Sequence, residues 1–204
     1  MMDAQTLHQQ GREAGEQGDL ALALQFFQKA HEADPAWPYP LYDIAFTYLL
    51  QEDSEKAYAY YKKVDELAPK GFFTVKTAIW TLEREQSGEY AKGLYTAYTK
   101  LEWVPENERL SVLQKMLEHY PSFTPAYKSM INLFNDPDKR LALINKGLEQ
   151  DADDETYCTL VVHKALILKY GGNPEAADVL LNELLNSPRC TAAGKAMVNM
   201  AMGN

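Results

Sequence analysis

The sequence predicts an all-α protein built as a helical-repeat solenoid of about 12 helices, and three observations carry that reading. Six residue types recur at one offset: Leu7, Gly11, Ala23, Phe27, Ala30 and Pro35 reappear as Leu41, Ala45, Ala57, Tyr61, Val64 and Pro69, each 34 positions on. A period near 34 residues belongs to a helix–turn–helix unit that buries its apolar face only against a neighbouring copy. Apolar residues also recur at helical spacing almost throughout, and no run alternates at period two for long enough to make a sheet. Finally, small residues stand at 11, 23, 45 and 57, where paired helices must approach closely, with Phe27 and Tyr61 placed to fill the space beside them.

The elements follow from local signals. A first helix is expected from Ala4 to Glu16, then a turn at Gly18-Asp19 with Asp19 as N-cap, then a second helix from Leu20 to Ala33. Asp34-Pro35 stops it, because proline cannot continue the hydrogen-bond ladder and disfavours helical geometry in the residue before it. The events repeat with a helix from Tyr39 to Gln51, a turn at Glu52-Asp53-Ser54, and a helix to Leu67 before Pro69. A third unit reads as Phe72 to Glu85, a Ser87-Gly88 turn, and Tyr90 to Trp103 before Pro105. Its proline falls two residues late, since 105 − 69 = 36, and the extra length is assigned to the turn between the helices. A helix at Asn107 to His119 has no evident partner. Beyond it, Ala126 to Phe134 pairs with Asp138 to Glu149 across Asn135-Asp136-Pro137. A helix from Asp154 to Tyr170 then pairs across Gly171-Gly172-Asn173-Pro174 with one that carries Ala177, Leu181 and Leu184 before Pro188. A last helix, Thr191 to Met202, reads as a cap on the stack.

These residues resemble the tetratricopeptide repeat. The family pattern W-x2-L-G-x2-Y, A-x3-F, P is matched by Leu7, Gln10, Gly11, Ala14, Ala23, Phe27 and Pro35, and better by Leu41, Ile44, Ala45, Tyr48, Ala57, Tyr61 and Pro69. The leading Trp is missing, as it is in many members. The resemblance implies a right-handed superhelix. It divides the chain as one domain, 1–204, with clear repeats at 4–37 and 38–71 and a degenerate one at 72–105. An irregular segment at 106–122, degenerate hairpins at 123–150 and 154–188, and a capping helix at 190–202 complete it. The phase slip between Pro105 and Pro121 allows either one continuous solenoid with an irregular helix or two small helical subdomains.

The resemblance also implies a function class, since such repeats bind proteins and rarely catalyse. In this family the first helix of each pair lines a concave groove through repeat positions 2, 5, 9 and 12. Those positions carry over to Tyr39, Tyr42, Phe46 and Leu49 in the second unit, to Phe73, Lys76, Trp80 and Glu83 in the third, and to Gln5, His8, Arg12 and Gly15 in the first. The expected groove is aromatic about Tyr42, Phe46 and Trp80, with His8, Arg12 and Lys76 as basic neighbours, and aromatic side chains with Arg are the types that dominate binding energy. The same rings could instead pack against neighbouring helices. Tyr58, Tyr60, Tyr95 and Tyr98 fall on second helices and read as inter-repeat packing or convex-face residues. The Lys and Asn clamp with which some members hold an acidic terminal peptide is not preserved, because His8 and Arg12 stand in its first-unit positions and Asp43 or Ile44 replaces the Asn.

Composition limits the alternatives. The 204 residues hold 29 acidic and 20 basic side chains, a net charge of −9, which argues against nucleic acid as a partner and repels an acidic ligand. No apolar stretch suits membrane insertion, and the amino terminus lacks a basic and apolar leader. Cys158 and Cys190 are far apart and fit reduced thiols in a cytoplasmic protein. His31-Glu32 lacks the second His of a zinc-protease motif, and Asp151 to Glu155 lacks the Gly and distal Glu of a calcium loop and reads as an N-capping run. No phosphate-binding loop follows Gly171-Gly172. No catalytic residue, metal site or cofactor is therefore expected. The expected activity is that of an adaptor for a peptide or protein partner. The alternatives are a chaperone for secreted or assembling subunits and a structural homo-oligomer that uses Phe46 and Trp80 or a stripe of Met197, Met200 and Met202.

Overall fold

The computed structural model describes residues 2–203, which form twelve α-helices and two short 3-10 segments with no strand among them. They fall into two compact units, one ending at Ala97 and the other beginning at Tyr98.

In the first unit α1 spans Ala4–Glu16, α2 Leu20–Ala33, α3 Tyr39–Leu50, α4 Ser54–Leu67 and α5 Val75–Ser87. Each packs on the next in chain order. Asp3, Asp19 and Asp53 cap α1, α2 and α4 by accepting from the backbone N–H groups of Thr6, Leu22 and Lys56 at 2.7, 3.0 and 3.0 Å. The repeated small residues are the packing points. A Cβ on Gly11 would lie 2.5 Å from the Phe27 ring, so only glycine lets α1 and α2 approach this closely. Ala23, Ala30, Ala45, Ala57, Tyr61 and Val64 are fully buried. In α5, Val75, Ala78, Ile79 and Leu82 are buried at the positions 34 beyond Leu41, Ile44, Ala45 and Tyr48, so the core register of the repeats runs into a third helix.

Two expected elements differ. Helix α5 starts at Val75 rather than Phe72, because Gly71 and Phe73 take φ of 97° and 47° and hold 71–74 out of the helix. The helix expected from Tyr90 to Trp103 shrinks to α6, Leu94–Thr99, followed by a 3-10 turn at Lys100–Trp103. Gly93, at φ 88°, precedes α6, and the buried carboxylate of Glu85 accepts from the N–H groups of Gly93 and Tyr95 at 2.9 and 2.7 Å. The turn between α5 and α6 spans 88–93, twice the length of the 51–53 turn.

The second unit holds α7 (Glu106–His119), α8 (Thr124–Met130) with a 3-10 turn at Ile131–Leu133, α9 (Pro137–Leu148), α10 (Asp154–Tyr170), α11 (Pro174–Asn186) and α12 (Ala192–Met202). Helix α7 packs on α8, which also meets α9 and α10, and α10 meets α11 and α12. Asp136, Asp153, Asn173 and Thr191 cap α9 to α12 through their side chains. Cys158, Val161, Val162, Ala165, Ala177, Leu181, Leu184, Val198 and Ala201 make the core of its last three helices. Both cysteines are free thiols, and burial raises the pKa of Cys158 above its ordinary value. Met197 and Met202 pack against this core whereas Met200 is exposed, so the three methionines do not share one face. No described helix is long and apolar enough to cross a membrane.

Candidate functional site

A continuous set of aromatic rings lies on the first unit where α3 and the 68–74 linker meet. Tyr39 opens α3, and its ring sits 5.4 Å from Trp37, 4.9 Å from Phe72 and 5.5 Å from Phe73. Tyr42, one turn on, lies 5.9 Å from Phe72 and 5.3 Å from Phe73. Most of these pairs cross at 70° to 90°, the edge-to-face arrangement that ring quadrupoles favour. Tyr39 is 40% exposed and Phe73 57%, while Trp37, Tyr42, Phe46 and Phe72 are half-buried. Tyr42 reaches below the surface to the fully buried Tyr61, at 5.7 Å, and burial pushes the Tyr61 phenol well above the usual tyrosine range. The set is thus anchored in the repeat core.

The expected groove residues divide. Tyr39, Tyr42 and Phe73 come together, with Phe46 half-buried further along α3. Phe73 does so from the linker and not from α5 as expected. Leu49 is fully buried and His8 almost so, which corrects their placement in a groove: neither offers a surface. His8 Nε2 meets Asp43 Oδ2 at 2.7 Å, and its ring packs against Phe27 and Trp37. His8, which stands in one of the first-unit clamp positions, is therefore already bound within the chain. Arg12 is exposed on α1. Lys76 is not a free basic group either, since its Nζ pairs with Asp65 at 2.6 Å. Trp80 is half-buried, with the Arg84 guanidinium 3.9 Å from its ring centroid and Tyr90 beside it. Glu83 accepts from the Tyr58 hydroxyl at 3.0 Å, and burial together with this carboxylate raises the Tyr58 pKa.

Sequence reasoning missed Trp37 and Phe72 as members of the cluster. Both stand in linkers, outside the helical positions the repeat pattern assigns, and the available signal was their nearness to Pro35 and Pro69 in successive units. It also missed Glu85, whose role depends on a turn eight residues away. Among the described residues, no group of three or more His, Cys, Asp or Glu side chains is arranged to hold a metal ion.

Residues 4–36 and 39–70 each match the model of the tetratricopeptide repeat. No curated protein matches the chain. Among solved structures, the flexible tandem repeat domain of a bacterial cellulose synthase is similar at 15% identity and a TM-score of 0.52, over 95% of this chain and 96% of that one. The thermophilic tetratricopeptide protein TTC0263 of Thermus thermophilus is 17% identical over 98% of this chain and 100% of its own, with a TM-score of 0.41. YrrB, a tetratricopeptide protein with an unusual peptide-binding site, is 18% identical over 99% and 93%, with a TM-score of 0.40. The chain thus carries two tetratricopeptide repeats in an all-helical repeat fold, and such arrays serve as protein-interaction scaffolds.

Proposed function

We propose that this tetratricopeptide-repeat protein is a non-catalytic, cytoplasmic adaptor that holds a peptide segment of a partner protein against the α3 face and 68–74 linker of its first unit. The observation that carries the reading is the contiguous cluster of Trp37, Tyr39, Tyr42, Phe72 and Phe73, with its outer rings left in solvent. Scattered exposed apolar residues are ordinary on protein surfaces, but a joined patch marks an interaction site. Burying ~150–250 Å² per ring at ~25 cal/mol per Å² contributes a few kcal/mol each before ordering costs, enough for micromolar binding from two rings. The pairing of His8 with Asp43 and of Lys76 with Asp65 leaves Arg12 as the exposed basic residue of the expected groove, with shape and apolar area as the main basis of recognition.

The test is a peptide-display selection on the wild-type protein followed by titration of the selected peptides. A Tyr39→Ala/Phe73→Ala variant binds them at least tenfold more weakly, whereas Trp103→Ala, an exposed residue of the second unit, leaves affinity unchanged. Full affinity in the double variant removes the assignment of the face.

A further inference from the structure

A hydrogen bond ties the 68–74 linker to α3. The Thr74 hydroxyl stands 3.0 Å from that of Tyr42 and 3.4 Å from that of Tyr95. Thr74 occupies the N-cap position of α5, where a threonine side chain ordinarily accepts from the first turn, yet it forms no side-chain cap bond. Its hydroxyl is turned from its own helix toward α3. Tyr42 also packs its ring against Phe72 and Phe73, at 5.9 and 5.3 Å, so one residue grips the linker by ring and by hydroxyl. Tyr42 is in turn seated on the fully buried Tyr61.

Phe73, next to Thr74, depends on such a grip. Its φ of 47° lies in the left-handed region, which is unfavourable for a bulky L residue because Cβ crowds the following carbonyl. Its ring is 57% exposed, so burial offsets only part of that strain. The strain of one left-handed residue and the net worth of one hydrogen bond are of similar size, so the Thr74–Tyr42 bond is enough to decide between this conformation and an unstrained one. Resting on the reading of this face as a peptide site, we propose that Thr74 is a positioning residue of that site: held by Tyr42, it keeps Phe73 in the left-handed conformation that sets its ring edge-to-face with Tyr39, at 5.5 Å and 81°. The site is then pre-organised, and a ligand does not have to order the linker as it binds. Without the bond only a fraction of the molecules present the ring, and the apparent affinity falls by that fraction.

Thr74→Val removes the hydroxyl at nearly constant shape, and Thr74→Ser keeps it. The amide and α protons of Phe73 lie close together at positive φ and further apart at negative φ, so their nuclear Overhauser effect in isotope-labelled protein reads the conformation without any ligand. We expect it to be strong in wild type and Thr74→Ser and weak in Thr74→Val. The binding probe is a fluorescein-labelled peptide from the display selection that loses affinity in Tyr39→Ala/Phe73→Ala. Thr74→Val binds it roughly three- to tenfold more weakly, the net worth of one hydrogen bond, and Thr74→Ser binds it as wild type does. Adding Tyr42→Phe to Thr74→Val causes no further loss, because the two hydroxyls act through one bond. A strong Phe73 signal in Thr74→Val, or unchanged affinity, overturns the proposal and leaves the peptide site standing. So does a fall in Tm of more than about 4 °C, which would make Thr74 a packing residue. Additive losses from Tyr42→Phe and Thr74→Val place the Tyr42 hydroxyl on the ligand and also overturn it. If no selected peptide depends on Tyr39 and Phe73, both readings fail.

Discussion

The first unit buries more aromatic rings in its core than the second, which relies more on aliphatic side chains. Phe27, Tyr61, Tyr90 and Tyr95 are the buried aromatic residues of the first unit, against Phe123 and Tyr127 in the second, where Ile144, Leu160, Leu181 and Leu184 are fully buried. The units also use their polar groups differently at helix starts. In the second unit Asp136, Asp153, Asn173 and Thr191 cap α9 to α12 in succession. In the first, Asp3, Asp19 and Asp53 do the same, but Thr74 turns its hydroxyl away from α5 to two tyrosines. Aromatic packing extends to the surface at 71–74, where α5 starts without a side-chain cap as α3 does after Pro38. The exposed rings gather at this loop and the start of α3, and this is why the peptide site is proposed there.

The largest effect that sharpens this contrast is loss of the Tyr61 ring. Tyr61 is fully buried, with Tyr42 and Tyr95 against it at 5.7 and 6.4 Å. Tyr61→Ala removes a core ring at a position fixed by helix packing, and we expect it to lower stability by about 3–5 kcal/mol in urea denaturation. It should also loosen the Tyr39–Tyr42–Phe73 face, so hydrogen exchange in α3 speeds up. A cost below about 1 kcal/mol would show that the aromatic core is not what holds the repeats together.

A smaller effect compares the two kinds of helix start. Asp153 is buried and accepts from the N–H groups of Glu155 and Thr156, both at 3.0 Å. Asp153→Ala leaves both donors without that acceptor and is expected to cost about 1–2 kcal/mol. Thr74→Ala removes no cap, Tyr42 is near enough to solvent to bond water instead, and Tyr95 loses only a long contact of 3.4 Å, so we expect a loss under about 1 kcal/mol. Urea midpoints of the two variants decide this. Equal losses would mean that Thr74 supports α5 as the other caps support theirs.

Legibility in the sequence follows how local each determinant is. The starts and ends of α1, α2 and α4 were readable because Asp19 and Asp53, Pro35 and Pro69 act within a few residues. The aromatic wealth of α3 was readable from the repeat offset, which carried Tyr39 and Tyr42 onto one face. What failed is tertiary. His8 looks like a surface residue until Asp43, thirty-five positions away, takes its Nε2. The start of α6 shifts because the Glu85 side chain holds the backbone of Gly93 and Tyr95. Phe73 leaves its helix through a backbone conformation that no side-chain pattern encodes, and its neighbour Phe72 joins the cluster by the same turn.

The smallest effect is a pH dependence that arises in the second unit. His163 on α10 faces Arg140 on α9, with Nη2 and Nδ1 2.9 Å apart. Guanidinium can only donate, so Nδ1 accepts and the ring proton sits on Nε2. Burial, and then the Arg140 charge, lower the His163 pKa below its ordinary value of 6.5. The unfolded chain therefore takes up a proton near pH 6.5 while the folded chain resists until lower pH. Stability from this contact is complete above pH 6.5, falls as pH drops toward the folded pKa, and levels below it. His163→Gln keeps an acceptor for Arg140 without a titrating ring, so it should flatten the slope of stability against pH in that window. The first unit supplies the control: with its His8 next to Asp43 left intact, any slope that survives His163→Gln unchanged would move the pH dependence away from the α9–α10 contact.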